Sequence, residues 1–238
     1  MNSPKIATRE QWLAARRELL DKEKRLTYLH DELAAERRSL PWVRVEKSYV
    51  FEGPSGPEAL SDLFGGKSQL VVYHFMLGPG WKEGCPSCSL LTDHLDGSAV
   101  HVAARDVAVV LVSRAPFPEI AAFKARMGWG LHWVSSFGSD FNRDYHVSFT
   151  QDEVAKGEFY YNFGMTGFPS EEAPGISVFA KDASGAVFHT YSSYARGGEP
   201  FITAYQVLDM VPKGRDEVGL PWPMAWVRHH DRYGATDI

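Results

Sequence analysis

Cysteine is nearly absent from this chain: Cys85 and Cys88 are its only two, in 238 residues. Two thiols cannot build a disulfide framework, and a chain of this length buries enough apolar surface to need none. Long apolar runs are lacking as well; nothing approaches the ~18 consecutive apolar residues of a membrane span. The opening segment MNSPKIATREQW shows no apolar run behind its charges, so the cytoplasm is the expected compartment and no membrane partner is expected. There is no basic excess either. Lys and Arg number 25 against 30 Asp and Glu, a formal net charge of −5, which argues against a nucleic-acid partner. Internal repeats and low-complexity tracts are missing too. What is present is a globular composition, 44% hydrophobic and 23% charged.

The chain opens with a helix predicted over Thr8 to about Ser39, where Thr8 and Gln11 fit a capping box. Trp12, Leu19, Leu26 and Leu33 recur every seven residues in an otherwise charged segment. Such a stripe suits a helix lying along a domain surface, or a homodimer contact through this helix. A short β lead-in follows over 42–67. QLVVYHF (69–75) and DVAVVLVSRA (106–115) read as buried parallel strands. Between them a helix begins at the cysteines, with a break expected near Gly97. Another helix covers 116–127, and a third short strand with a turn and a short helix covers 133–147. Residues 150–173 read as an insertion outside the core. GISVFAKD (175–182) and AVFHTYS (186–192) form a hairpin, followed by a helix of about ten residues, PFITAYQVLDM. The order predicts an α/β protein of thioredoxin-like layout, with a central mixed sheet flanked by helices. The expected divisions are an N-terminal helical extension (1–41), a thioredoxin-like domain (42–212) and a C-terminal extension (213–238).

Cys85-Pro86-Ser87-Cys88 lies between a buried strand and a helix start. Unpaired backbone N–H groups and the helix dipole at that junction stabilise an anion, so the Cys85 thiol should ionise more readily than usual. Pro86 suits the first helical turn, where its missing N–H costs nothing. Cys88 shares a helical face with Cys85 and can reach disulfide geometry. The pair reads as attacking thiolate and resolving thiol, cycling through a mixed disulfide. Metal binding is the alternative; zinc would need two histidines more, and His94 and His101 fall on a different part of the helix.

Nearly the whole chain resembles a bacterial family of thioredoxin-like proteins known as a domain of unknown function, whose members are often labelled dithiol-disulfide isomerase or thioredoxin-domain protein. The resemblance rests on REQWLAARRELLDKEK, RRSLPWVRVEKSYVF, LVVYHFMLGPGWKEGCPSCS, VSRAP, MGWGLHWVSSFGSDFNRDYHV, PGISVFAKD and VFHTYSSYARG. It implies a cis-proline at Pro174, facing the cysteines from the start of the hairpin; the alternative is a trans proline that simply opens a strand. WVSSFGSDFNRDYHV is more distantly similar to peroxiredoxins of the alkyl-hydroperoxide-reductase type. Two departures stand out. Thioredoxin carries Trp directly before its first cysteine, where this chain has Gly84, with Trp81 further back. A peroxiredoxin carries Thr or Ser where this chain has Lys82.

The expected function is a thiol-disulfide oxidoreductase that needs no cofactor and no metal, acts on a protein or small-molecule disulfide, and is recycled by an unidentified reductase. The alternatives are a thiol peroxidase and a non-catalytic binding or assembly protein on a thioredoxin scaffold. The candidate catalytic set is Cys85, Cys88 and Pro174; the candidate substrate-binding set is Trp81, Pro86, Ser87 and Arg196. Lys82 and Glu83 read as solvated loop charges, and His74 as a satisfied core histidine. His229, His230, Asp231 and Arg232 read as a solvated tail or a polar cluster near the site. Phe159, Tyr160, Tyr161 and Phe163 line a pocket, a subunit contact or the core.

Overall fold

The computed structural model describes residues 5–234; the first four residues and the last four of the C-terminal extension lie outside it. The chain divides into two compact units, Met1–Pro41 and Trp42–Ile238.

The first unit is one helix, α1 (Arg9–Ser39). Its capping box forms as expected: Thr8 Oγ1 accepts from the Gln11 N–H, and the Gln11 side chain accepts from the Thr8 N–H. No residue of α1 is buried.

The second unit begins with β1 (Val43–Arg44) and the hairpin β2 (Val50–Gly53) and β3 (Gly56–Ala59). The central βαβαβ run is β4 (Gln69–His74), α2 (Pro86–Ala103), β5 (Val107–Ser113), α3 (Phe117–Met127) and β6 (His132–Ser135). Two short helices, α4 (Phe141–Asp144) and α5 (Gln151–Lys156), lead to a small hairpin of β7 (Phe159–Tyr161) and β8 (Gly164–Thr166). The long hairpin β9 (Gly175–Lys181) and β10 (Val187–Tyr194) follows, then a 3₁₀ segment, then α6 (Thr203–Leu208).

Eight strands form one sheet in the order β1-β10-β9-β4-β5-β6-β2-β3. The β4–β5 and β5–β6 pairs are parallel, whereas β9 runs antiparallel to both β4 and β10. A βαβ unit with an antiparallel hairpin beside its first strand, and a dithiol at the first crossover helix, is a thioredoxin-like arrangement. Strand alternation divides the core. Tyr73, Leu111, Trp133 and Ile176 enter the cluster shared with α2, α3 and α6. Leu70, Val72, Val110, Val112, Val134 and Phe179 point the other way, toward Phe51, Phe64 and Phe141. Both faces are covered, which is why β4 and β5 read as continuous apolar runs.

Several elements depart from expectation. The helix after the cysteines does not break at Gly97. The segment 150–173 is not a simple insertion: Phe159 and Tyr161 pack with Phe149, Val147, Ala173 and Tyr194 into a third apolar cluster, while Tyr160 and Phe163 stay exposed. The peptide bond before Pro174 is trans, because every peptide bond among the described residues is trans. The chain enters β9 already extended, with the Ala173 N–H bonded to Val147 O at 2.9 Å and the Tyr161 hydroxyl donating to Pro174 O at 2.8 Å. Pro174 therefore opens a strand, a role that its fixed φ and missing N–H suit.

Candidate active site

Beyond β4 the loop 75–84 brings the chain to Cys85, which caps α2 with Pro86 in the first turn. Cys85 is half-buried and Cys88 is buried; both are free thiols. The Cys85 N–H bonds Met76 O at 3.0 Å, and Cys85 O accepts the Ser89 N–H at 2.9 Å. These bonds fix the sulfur at the helix mouth. The Cys85 thiol falls to about 7, first because the Cys88 thiol donates to it, against the cost of burial, with further donation from the Ser87 and Cys88 N–H groups and the Ser87 hydroxyl. Burial pushes the Cys88 thiol well up, and the charge on Cys85 pushes it the same way. The Tyr73 hydroxyl and the Met76 N–H donate to its sulfur and oppose that rise. Tyr73, itself buried on β4, is held protonated by burial and by the neighbouring Cys88.

Gly84 has a steric reason. A Cβ there would lie 2.4 Å from Phe75 Cε1 and 2.8 Å from Phe123 Cε1, so no side chain fits where thioredoxin carries Trp. The Gly84 carbonyl accepts from His229 Nε2 at 2.8 Å. With Nε2 donating, Nδ1 is the acceptor for Arg126 Nη2 at 3.3 Å. The 229–232 segment is thus no solvated tail. His229 is buried, Arg126 grips Asp231 through two bonds of 2.8 Å, and Glu83 pairs with Arg126 at 3.0 Å and with Arg232 at 2.8 Å. Burial would raise the Glu83 carboxyl, but the bonds from Arg232 and Arg126 prevail and lower it. Asp231, bonded by Arg126, falls to about 2.

A cavity of about 790 Å³ opens beside the cysteines, and Cys85, Ser87, Cys88, Pro174 and Arg196 all line it. Pro86 is exposed at the helix start and Trp81 packs against the apolar cluster; neither lines the cavity. Trp81 lies close to Gly78, where a Cβ would meet its indole nitrogen at 2.9 Å. Arg196 sits on the rim with its guanidinium bonded to Glu199 Oε1 at 2.6 Å. Lys82 is exposed. His74 lies on the opposite face of the sheet, with Nε2 bonded to Ser177 Oγ at 2.9 Å and Nδ1 lacking a hydrogen-bond partner; burial lowers it to about 3. Among the described residues no three His, Cys, Asp or Glu side chains gather to hold a metal ion, and no helix is long and apolar enough to cross a membrane.

Residues 1–233 match the model of the family described as bacterial protein of unknown function (DUF899). The chain belongs to that family. No curated protein matches it in sequence. Solved structures similar to this family member include a variant of peroxiredoxin Q from Xanthomonas campestris, at 15% identity and TM-score 0.45, covering 66% of this chain and 90% of that one. Peroxidoxin BcpB from Mycobacterium tuberculosis matches at 13% identity and TM-score 0.40, covering 71% and 96%. A Chlorobium tepidum protein described as thiol:disulfide interchange protein DsbE matches at 17% identity and TM-score 0.40, covering 70% and 98%.

A polar cluster of 229–232 near the site is one of the two readings of that segment, but the bond that ties it to the loop, and the role of Tyr73, are not read from the sequence. Tyr73 carried only a weak signal, one polar atom in an apolar strand. His229 and Gly84 are 145 positions apart and carry no local signal of their contact.

Proposed function

We propose that this protein is a thiol-disulfide oxidoreductase whose working group is the Cys85–Cys88 dithiol. The observation that carries the reading is the placement of the two free thiols, a partly exposed Cys85 capping α2 and a buried Cys88 one turn further on, and their opposite tuning agrees with it, Cys85 lowered to about 7 and Cys88 raised by burial. A partly exposed thiolate attacks; a buried thiol held one turn away resolves the mixed disulfide. Tyr73, donating to the Cys88 sulfur, stabilises the resolving thiolate as it forms. The resulting disulfide is returned to the dithiol by an external dithiol or a reductase.

The test measures disulfide reduction by the full chain with dithiothreitol as recycling dithiol. Cys85→Ser abolishes turnover, and Cys88→Ser, mixed with the substrate with dithiothreitol left out, stops at the mixed disulfide with half of the substrate attached to Cys85, seen as a mass increase. Equal turnover by wild type and Cys85→Ser would overturn the reading.

A further inference from the structure

The cavity beside the cysteines constrains what they act on. At about 790 Å³ it falls within the range that holds a small organic molecule. Its walls include Leu91, Phe168, Ile176, Ile202, Trp222 and Met224, all apolar.

The charged groups at its edge are occupied with one another. Arg196 bonds Glu199, and Arg215 bonds Glu199 at 3.2 Å and Asp209 at 2.8 Å. Glu217 accepts from the Tyr205 hydroxyl, the Met224 N–H and the Trp226 indole, at 2.8–2.9 Å. A carboxylate-bearing substrate would lose water there and meet no cation that is not already engaged, an unfavourable exchange.

The backbone beside Pro174 is engaged too. The Ala173 N–H and the Pro174 carbonyl are taken by Val147 and Tyr161, and β9 lies between β4 and β10. Recognition of an extended peptide by strand addition needs a free sheet edge. Among the described residues, the strands of the eight-stranded sheet beside the cysteines, β4 and β9, are both interior and offer no such edge.

We infer that the substrate is a small uncharged disulfide with apolar aryl or alkyl substituents, seated in this cavity with its S–S bond at Cys85. The inference rests on the redox reading above and narrows its substrate. The Cys85 thiolate attacks one sulfur of RSSR, forming the Cys85–SR bond and breaking the RS–SR bond; the expelled RS⁻ takes a proton. Cys88 gives up its proton and attacks Cys85 Sγ, expelling the second RS⁻, which is protonated in turn. Two thiols and the Cys85–Cys88 disulfide result, so RSSR is reduced and the dithiol is oxidised. Dithiothreitol then reduces the protein disulfide.

The experiment mixes the reduced full-length protein with three probes: neutral 4,4′-dithiodipyridine, dianionic 5,5′-dithiobis(2-nitrobenzoate) and insulin. Each rate is divided by that of free dithiothreitol with the same probe, at about 0.5 M salt to screen the net charge of the chain. The neutral aromatic disulfide is expected to exceed both others by about 100-fold in normalised rate, reflecting the cost of bringing unpaired charge into an apolar cavity. Trp222→Ala, which removes part of the apolar wall at the rim, should cut the neutral-probe rate about tenfold. Normalised wild-type rates that agree within a small factor, or favour the dianion or insulin, overturn the substrate assignment while leaving the dithiol chemistry in place. No thiol release from any probe beyond that of Cys85→Ser overturns both.

Discussion

Two effects oppose each other at Cys85. Burial disfavours the thiolate, while donation from Cys88, Ser87 and the helix-end N–H groups favours it, and donation wins, to about 7. The thiolate is the reactive form, so alkylation of Cys85 by iodoacetamide should climb as pH rises through about 7 and then level off. Cys88 stays unmodified over that range, since burial and the Cys85 charge keep it protonated. Peptide mass spectrometry after timed quenching separates the two sites. A Cys85 rate that still rises steeply above pH ~8.5, the ordinary thiol value, contradicts the assignment. Gly84 shows a second residue-scale logic. Phe75 and Phe123 fill the space before Cys85, so the absent side chain sets how closely the loop approaches the core.

The element that holds this loop is the segment 229–232, joined to it through His229, Arg126 and Glu83. Arg126 keeps the Asp231 carboxyl low, so the contact is fully present above the ordinary carboxylate pKa of about 4. It is lost as pH falls from there through about 2. In urea titrations, the stability difference between wild type and Asp231→Asn should therefore be constant from neutrality to about pH 5 and shrink steadily as pH falls from there toward about 2. A pH-independent difference rules out this linkage. Sequence patterns exposed some of these elements and concealed others. β4, β5, α2 and the β9–β10 hairpin announced themselves through apolar runs, Pro86 at a helix start and the 183–185 turn, all local features. The trans bond at Pro174 depended on Val147 and Tyr161, which are remote in sequence. The His229 clamp depended on a carbonyl, which leaves no mark in the residue types. Aromatic burial at Phe159 and Tyr161 was ambiguous because Tyr160 and Phe163, beside them, are exposed.

On the scale of the whole molecule, α1 stands out because none of its residues is buried and Trp12, Leu19, Leu26 and Leu33 form a seven-residue stripe. The homodimer expectation attached to that stripe predicts a concentration-dependent dimer in sedimentation velocity, converted to monomer by Leu19→Lys with Leu26→Lys. A wild-type monomer at every concentration would discard it. The His229–Gly84 bond carries a different consequence, one of timing. It joins residues 145 positions apart, so its second partner is made long after its first. Domains fold from the N-terminal side as they are synthesised. The sheet and α2 can therefore assemble around Cys85 while the chain is still growing, but the loop before it is not clamped until His229 has been added. A nascent chain arrested short of residue 229 carries both thiols without the clamp that completes their surroundings.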